Sequence, residues 1–210
     1  DKISRKSFVL AASIIPIFML NYTVPTAIAY YYLNKAKKQI AVKQIENADL
    51  TLALAAKWNP NSIPIYYQQY SLYRRALNII GNVDSTSKHK ALYIKTLSIL
   101  KIIEEINPLT GIVSEGRGHL LVENSDIIVD CWEKQAINEF KNALKLNPTL
   151  FRARLALARL LVQQGDLNEA VVLMNIGVSY QYPSFLNGID QFYKYAIDLN
   201  LMNGDTVKAR

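Results

Sequence analysis

The sequence predicts an all-α protein in which an N-terminal transmembrane helix is followed by an α-solenoid, a stack of helical hairpins. Three observations predict this fold class. Residues 8–33 contain no charged side chain. Beyond them, apolar residues recur every three or four positions, which is the spacing of one helix face. Three of the predicted helices end in the dipeptide Asn-Pro, and proline lacks the N–H that a continuing helix needs.

The composition sets the range of functions to consider. The chain has 210 residues, half of them hydrophobic, and a net charge of +7, which suits nucleic acid, an anionic membrane surface or an acidic ligand as a partner. Its one cysteine excludes an internal disulfide. Because Cys131 lies in an apolar stretch, we expect a small buried side chain. The sequence starts at Asp1 without a methionine, and we interpret it as a segment of a longer protein.

The N-terminal region divides into a basic flank, residues 1–6, and a transmembrane helix, residues 7–33. About 20 apolar residues cross the hydrocarbon layer, and the three tyrosines at 30–32 would form an aromatic belt at the interface. A secretory signal peptide is disfavoured because the run is too long and no small-residue cleavage site precedes the lysines. A buried core helix stays open as an alternative. The basic residues before and after the run are too evenly balanced to assign its orientation.

Residues 34–210 form the predicted repeat domain. Four helix ends carry a proline, and these prolines stand 48, 40 and 35 residues apart: Pro60, Pro108, Pro148 and Pro183. We expect the first repeat to begin at the exit of the membrane helix. Residues 108–118 are interpreted as an irregular insertion because they are rich in glycine and polar residues. The pattern at Asn203–Ala209 opens a further helix, so the last repeat is expected to be truncated.

The stretch from Glu133 to Ala170 resembles the tetratricopeptide repeat. The resemblance rests on an ordered set of residues: Ala136, Phe140, Ala143, Pro148, Gly165, Asp166 and Ala170. Residues 48–60 repeat the first part of that pattern. The resemblance implies stacked hairpins whose first helices line a concave groove that holds a protein or peptide partner.

Two pairs of arginines are the candidate ligand-binding residues. Arg152 and Arg159 are seven positions apart, so they share the helix face that would line the groove. Arg74 and Arg75 form a second basic group. The planar guanidinium can donate two hydrogen bonds to one carboxylate. Ordinary solvated arginines remain the alternative for both pairs. A nucleic-acid partner is not expected, because the tyrosines fall on packing positions instead of beside a basic stripe.

The sequence contains no catalytic constellation, and no metal or cofactor site is predicted. His89 and His119 lack the acidic or cysteine companions of a metal site. Ser114, Glu115 and Arg117 precede His119 in the insertion, and we interpret this cluster as a solvated turn. A nucleophile would need a positioned base, which no spacing here supplies.

The order of elements also resembles the C-terminal tail of bacterial O-antigen ligase or polymerase-like membrane proteins. The resemblance lies in a final apolar span, a tyrosine-rich exit, a helix ending in Asn-Pro and a second tyrosine-rich helix, residues 65–75. It implies attachment to the bacterial inner membrane, an extracytoplasmic repeat domain and a lipid-linked glycan as a further ligand. The enzyme activity of such a parent protein would lie outside this segment.

Two other hypotheses stay open. The chain could be a single-span adaptor that recruits protein partners at the membrane, or a soluble enzyme whose apolar N-terminus is core. The reading frame upstream of Asp1 separates the first two hypotheses, since many apolar spans favour the ligase tail and a nearby methionine contradicts it.

Overall fold

The computed structural model describes residues 2–80, 86–126 and 131–204, and the side chains of residues 2–19, 80 and 86 lie outside that description. Over these ranges the chain forms α-helices, and no strand occurs in them. The prediction of an all-α fold is confirmed. The helices are α1 (Lys2–Ala41), α2 (Ile45–Trp58), α3 (Ile63–Ile80), α4 (Thr86–Ile106), α5 (Gly111–Glu123), α6 (Trp132–Leu146), α7 (Phe151–Gln163), α8 (Leu167–Val178) and α9 (Ile189–Met202).

The chain divides into two compact units, Asp1–Ala76 and Leu77–Arg210. In the first unit, α1 and α2 form an antiparallel hairpin joined by residues 42–44. Small and branched residues at helical spacing bury the facing sides: Ala29, Leu33 and Ala36 of α1, with Ala48, Leu52 and Ala55 of α2. The Tyr73 hydroxyl of α3 donates a hydrogen bond to the Asp49 carboxylate of α2. The exit of the apolar run is thus the first helix of a hairpin, as the sequence suggests.

The transmembrane helix predicted for residues 7–33 is not borne out. In the part of the chain that the structure describes, no helix is both long enough and apolar enough to cross a bilayer. The side chains of residues 7–19, about half of the predicted span, lie outside the described ones.

In the second unit, α5 pairs with α6 and α7 pairs with α8, and α9 follows. Their apolar faces share one core, in which alanines alternate with large side chains. Phe140, Leu157, Met174 and Phe192 are among its most deeply buried members. The Gly165-Asp166 turn between α7 and α8 needs a backbone with positive φ, 90° at Gly165, which glycine adopts without steric cost. The helices therefore pack as antiparallel hairpins through alanines and large apolar residues, as the sequence predicts.

The three Asn-Pro dipeptides end helices α2, α4 and α6 in the same way. The backbone N–H of the asparagine still donates to the carbonyl four residues earlier, over 3.0 Å at Asn59, 2.9 Å at Asn107 and 2.8 Å at Asn147. The next residue is proline, which has no N–H to continue the ladder. Asn59 and Asn147 have φ near −140° and positive ψ, which is the extended conformation that a following proline favours.

Residues 108–118, predicted to be irregular, are helical from Gly111 onward. The Thr110 hydroxyl caps α5 by accepting a hydrogen bond from the Ile112 N–H at 3.5 Å. The glycines that suggest a loop instead let α5 approach its neighbours closely. A β-carbon at Gly111 would lie 2.6 Å from the Ala143 carbonyl oxygen. The truncated last repeat falls mainly on residues 205–210, which lie outside the described residues.

Candidate functional site

Helix α7 lies between α5 and α9 in the second unit and contacts both. Helices α6 and α8 also pack on α7, so α7 keeps only a narrow exposed strip. Arg152 and Arg159 lie on that strip, and both side chains are exposed. The structure therefore brings this predicted pair together on one face of one helix, beside α9.

Each of the two arginines is held by a neighbour from the α9 side. The Arg152 Nη2 donates to the Asn187 carbonyl oxygen, 3.1 Å away, just before α9 begins. The guanidinium of Arg152 also lies over the Phe151 ring, 5.6 Å from its centroid. The guanidinium of Arg159 lies 5.5 Å from the ring centroid of Tyr195 in α9. These cation–π contacts orient the two charges while leaving them accessible to solvent.

The charge on α7 is of one sign only. The helix carries Arg152, Arg154 and Arg159 and no acidic residue. Burial raises the pKa of the Tyr195 phenol, and the charge of Arg159 opposes part of that rise. Tyr195 therefore stays neutral near pH 7 and adds no negative charge beside Arg159. Such a face suits an anionic group of a ligand.

Arg154 has a different role, which the sequence does not reveal. Its side chain is buried, and its guanidinium donates to the Leu173 carbonyl oxygen at 2.9 Å and to the Pro148 carbonyl oxygen at 2.7 Å. Arg154 thereby links α8 to the turn before α7. Gly177 of α8 makes room for it, because a β-carbon there would lie 2.3 Å from Arg154 Cδ. The sequence carries no signal that separates Arg154 from its two exposed neighbours.

An aromatic cluster supports the connection between α8 and α9. The Tyr182 ring packs against the rings of Phe151 and Phe192, with centroids 5.5 Å away in each case. The Tyr193 hydroxyl accepts a hydrogen bond from the Tyr182 N–H at 3.1 Å. Burial raises the pKa of the Tyr182 phenol, against the opposing effect of the Arg154 charge. The cluster fixes the loop whose Asn187 carbonyl holds Arg152.

The second predicted basic pair belongs to the other unit. Arg74 and Arg75 lie near the end of α3. Arg75 is exposed and Arg74 is half-buried. That Arg74 and Arg75 bind a ligand stays a prediction.

The polar residues of the supposed insertion are held in structural contacts along α5. Ser114 accepts a hydrogen bond from the Asn142 amide at 2.8 Å, and the His119 ring packs edge to face on Phe140. Arg117 forms a two-pronged ion pair with Glu104 of α4, at 3.1 Å and 2.5 Å. The Arg117 hydrogen bonds lower the pKa of the Glu104 carboxyl. This arrangement joins α4 to α5.

Cys131 and the two histidines are further side chains that could bind a metal or take part in a reaction. Cys131 is exposed, contrary to the expectation of a buried side chain, because its backbone turns through φ 58° directly before α6. His89 is buried and its Nε2 lies 2.9 Å from Asn124 Oδ1. Among the described residues, no three His, Cys, Asp or Glu side chains are grouped so as to hold a metal ion.

A shallow polar cleft of about 360 Å³ lies on the α5–α6 hairpin. It is lined by the side chains of Leu121, Gln135, Asn138, Glu139 and Asn142. The four polar residues follow one face of α6, which no sequence motif marks as a site.

Stacked antiparallel hairpins with small residues between the helices define a helical-repeat protein. Within this class, residues 134–180 match the family model of the tetratricopeptide repeat. That match covers the residues on which the resemblance was based. The comparisons do not support the further resemblance to an O-antigen ligase tail.

Several solved structures share the fold. The thermophilic TPR protein TTC0263 of Thermus thermophilus is 19% identical, with a TM-score of 0.59 over 92% of this chain and 95% of that chain. A tetratricopeptide repeat protein from Parabacteroides merdae ATCC 43184 is 19% identical, with a TM-score of 0.55 over 99% and 71%. PilW, described as a widely conserved type IV pilus biogenesis factor, is 14% identical, with a TM-score of 0.58 over 87% and 73%. No curated protein sequence matches this chain.

Proposed function

We propose that this chain is a tetratricopeptide-type interaction scaffold that binds an acidic peptide segment of a protein partner on the face of α7. Arg152 and Arg159 donate hydrogen bonds to carboxylates of that segment, and α5 and α9 form the sides of the binding surface. The observation that carries the proposal is the geometry of this pair. Both guanidinium groups are exposed, oriented by aromatic rings and free of acidic neighbours on their own helix.

The two charges are spaced for an extended ligand. Residues seven apart on a helix are separated by about 10 Å along its axis. An extended peptide advances about 3.3 Å per residue, so carboxylates three residues apart would meet both arginines. A peptide with acidic residues at that spacing is therefore the ligand class that fits best. An exposed ion pair contributes about 0.2–1 kcal/mol, so two of them together favour an acidic peptide over its uncharged analogue.

A peptide array tests this proposal. The purified chain is incubated with arrayed peptides that carry two glutamates at spacings from one to six residues, and with the same peptides in which glutamine replaces glutamate. We expect binding to concentrate on spacings of three or four and to vanish in the glutamine set. Binding that ignores both spacing and charge would contradict the proposal.

We propose further that the chain is held at the bacterial inner membrane, with the repeats on the extracytoplasmic side. The support is the uncharged run at residues 8–33 and the exposed tyrosines near its end, Tyr30 and Tyr31. In this proposal the segment serves either an O-antigen ligase-like protein, with a lipid-linked glycan as a second ligand, or a single-span adaptor.

The single exposed cysteine allows a direct test of location. A membrane-impermeant maleimide should label Cys131 in intact spheroplasts and should leave a Cys131→Ser control unlabelled. Labelling only after lysis would contradict the extracytoplasmic placement. Recovery of the chain in the supernatant of a membrane pellet would contradict attachment itself.

A further inference from the structure

The α1–α2 hairpin brings residues that are distant in sequence to the same level along its axis. The connection is only residues 42–44, so positions at equal distances from it lie side by side. Trp58 stands 13 residues after Ile45, and Ile28 stands 13 residues before Ala41. At about 1.5 Å per residue, both lie roughly 20 Å from the connection. Ala29 and Ala55 are both fully or almost fully buried at this end of the hairpin, which agrees with that alignment.

Large apolar side chains are exposed at this level on both helices. Tyr30 and Tyr31 of α1 are each 63% exposed, and Leu54 and Trp58 of α2 are 46% and 43% exposed. We call these four residues the aromatic collar. Four exposed large apolar side chains at one end of a hairpin exceed the scattered single residues that a solvated surface normally shows.

On α1, charge is distributed in a fixed order on either side of the collar. Toward the N-terminus, α1 carries no charged residue from Phe8 to Leu33. Toward the connection, lysines follow within about 6–10 Å of Tyr31 along the helix, at positions 35, 37 and 38. A bilayer has the same order of layers. Its hydrocarbon core matches the uncharged helix, its interface matches the aromatic rings, and its anionic headgroups match the lysines. The lysines lie within about one Debye length of the collar, so they act on the same surface.

We infer that the aromatic collar rests in the headgroup region of an anionic lipid bilayer, with Trp58 of α2 as a second contact besides α1. The inference rests on the proposed membrane attachment and adds a partner surface to it. Two contacts on antiparallel helices hold the hairpin along the bilayer normal. Amphipathic indole and phenol rings are suited to this layer, because one end of each is apolar and the other is wet.

Leu50 supplies an internal comparison. It lies two turns of α2 from Trp58, toward the connection, and is 68% exposed. At about 12 Å above Trp58 it lies level with the lysines, among the charged headgroups and above the apolar contact that the collar makes. A protein partner or a second copy covering the whole outer side of α2 would include Leu50 in its apolar contact, whereas a bilayer would not.

Depth-dependent fluorescence quenching tests the inference. Trp132→Phe leaves Trp58 as the only tryptophan of the full chain. This protein is reconstituted into vesicles of phosphatidylcholine and phosphatidylglycerol that carry a spin label either near the headgroup or at the end of the acyl chain. We expect Trp58 to emit at shorter wavelength than in water and to be quenched several-fold more by the headgroup-proximal label. Emission as in water without quenching, from protein that floats with the vesicles, would contradict the collar and leave attachment intact. Protein that does not float would contradict attachment itself.

Two variants of α2 complete the test. Leu54→Glu should reduce the quenching of Trp58 several-fold, and Leu50→Glu should leave it unchanged. Equal loss in both variants, together with a concentration-dependent dimer in light scattering, would assign the surface to a second copy and overturn the inference.

Discussion

Gly118 of α5 lies against the ring of Phe140 of α6, so that a β-carbon added at Gly118 would come within 2.6 Å of Phe140 Cε1. Phe140 is fully buried. Its ring also meets the imidazole of His119 edge to face, with centroids 5.2 Å apart. The ring is thus held on two sides by α5, and the close approach of these two helices depends on glycine at 118.

Gly118→Ala should therefore destabilise the chain. Alanine is the better helix former by about 1 kcal/mol, but overpacking a tight core contact costs about 1–3 kcal/mol. We expect a net loss in the free energy of unfolding, measured by urea denaturation with circular dichroism. Phe140→Leu removes the clash, so the double variant should lose less than the sum of the two single variants. A stabilised Gly118→Ala protein would show that the ring moves freely.

Arg154→Met should lower the free energy of unfolding by about 1–3 kcal/mol. The variant keeps an unbranched apolar side chain but leaves the carbonyl oxygens of Leu173 and Pro148 without the donor they have now. Arg152→Met is the matched control on the exposed side of α7, with an expected change within about 0.5 kcal/mol. Equal effects of the two substitutions in thermal unfolding would contradict the structural role of Arg154.

Asn124→Ala should cost about 1–3 kcal/mol of unfolding free energy. Asn124 donates through Nδ2 to the Leu120 carbonyl, so its Oδ1 accepts from the Nε2–H of buried His89. Removing that acceptor leaves a buried imidazole N–H without its partner. Asn138→Ala on the exposed face of α6 is the control and should change stability by less than about 0.5 kcal/mol. A variant as stable as the wild type would refute the proposed pairing.

The Glu104–Arg117 ion pair should stabilise the fold only while Glu104 is ionised. Its pKa is lowered in the folded chain, chiefly by the hydrogen bonds from Arg117. Because the pKa of Glu104 is lower in the folded chain than in the unfolded chain, the ion pair stabilises the fold at pH values above the ordinary glutamate pKa. This stabilisation is lost as the pH falls through the lowered pKa of the folded chain. Glu104→Gln should therefore be less stable than the wild type at neutral pH and equal to it in acid, as urea denaturation across that pH range would measure.

The control for this pH dependence is Glu105→Gln, at the exposed neighbouring position. Its stability difference from the wild type should stay small at all pH values. A Glu104→Gln deficit that persists unchanged in acid would mean that the ion pair is not its cause.

Helix ends and the core stripe follow from local chemistry, and the sequence therefore predicts them. A proline after the first turn lacks the N–H that the helical ladder needs, and helices α2, α4 and α6 end two residues before their prolines, although α1 continues through Pro16 and Pro25. The spacing of Ala136, Phe140 and Ala143 sets one helix face, and all three are buried. These features need no knowledge of the neighbouring helices.

The predictions made from the sequence are wrong at positions where contacts between helices determine the local structure. Gly111 and Gly118 indicate a turn when the sequence is considered alone, but both face a neighbouring helix that leaves no room for a β-carbon. Cys131 lies in an apolar stretch, yet its positive φ before α6 turns it toward solvent.

Part of the candidate site is likewise predictable from the sequence, and part depends on contacts with other helices. The sequence places Arg152 and Arg159 on one helix face because their spacing is helical. It cannot show that Tyr195 orients one of them, or that Arg154 between them is buried against two carbonyl oxygens. Those partners come from other helices and from a turn, so only the folded structure separates the three arginines.

The affinity of the α7 face for an acidic peptide tests the proposed function most directly. Fluorescence anisotropy compares the wild type, Arg152→Glu with Arg159→Glu, and the control Lys134→Glu with Lys145→Glu, which makes the same charge change at exposed positions of α6. The ligand is the tightest diglutamate peptide from the array. We predict at least about a tenfold loss of affinity, about 1.4 kcal/mol, for the arginine variant and a change within about twofold for the lysine variant. Equal losses in both, or an unchanged arginine variant, would contradict a binding site on α7.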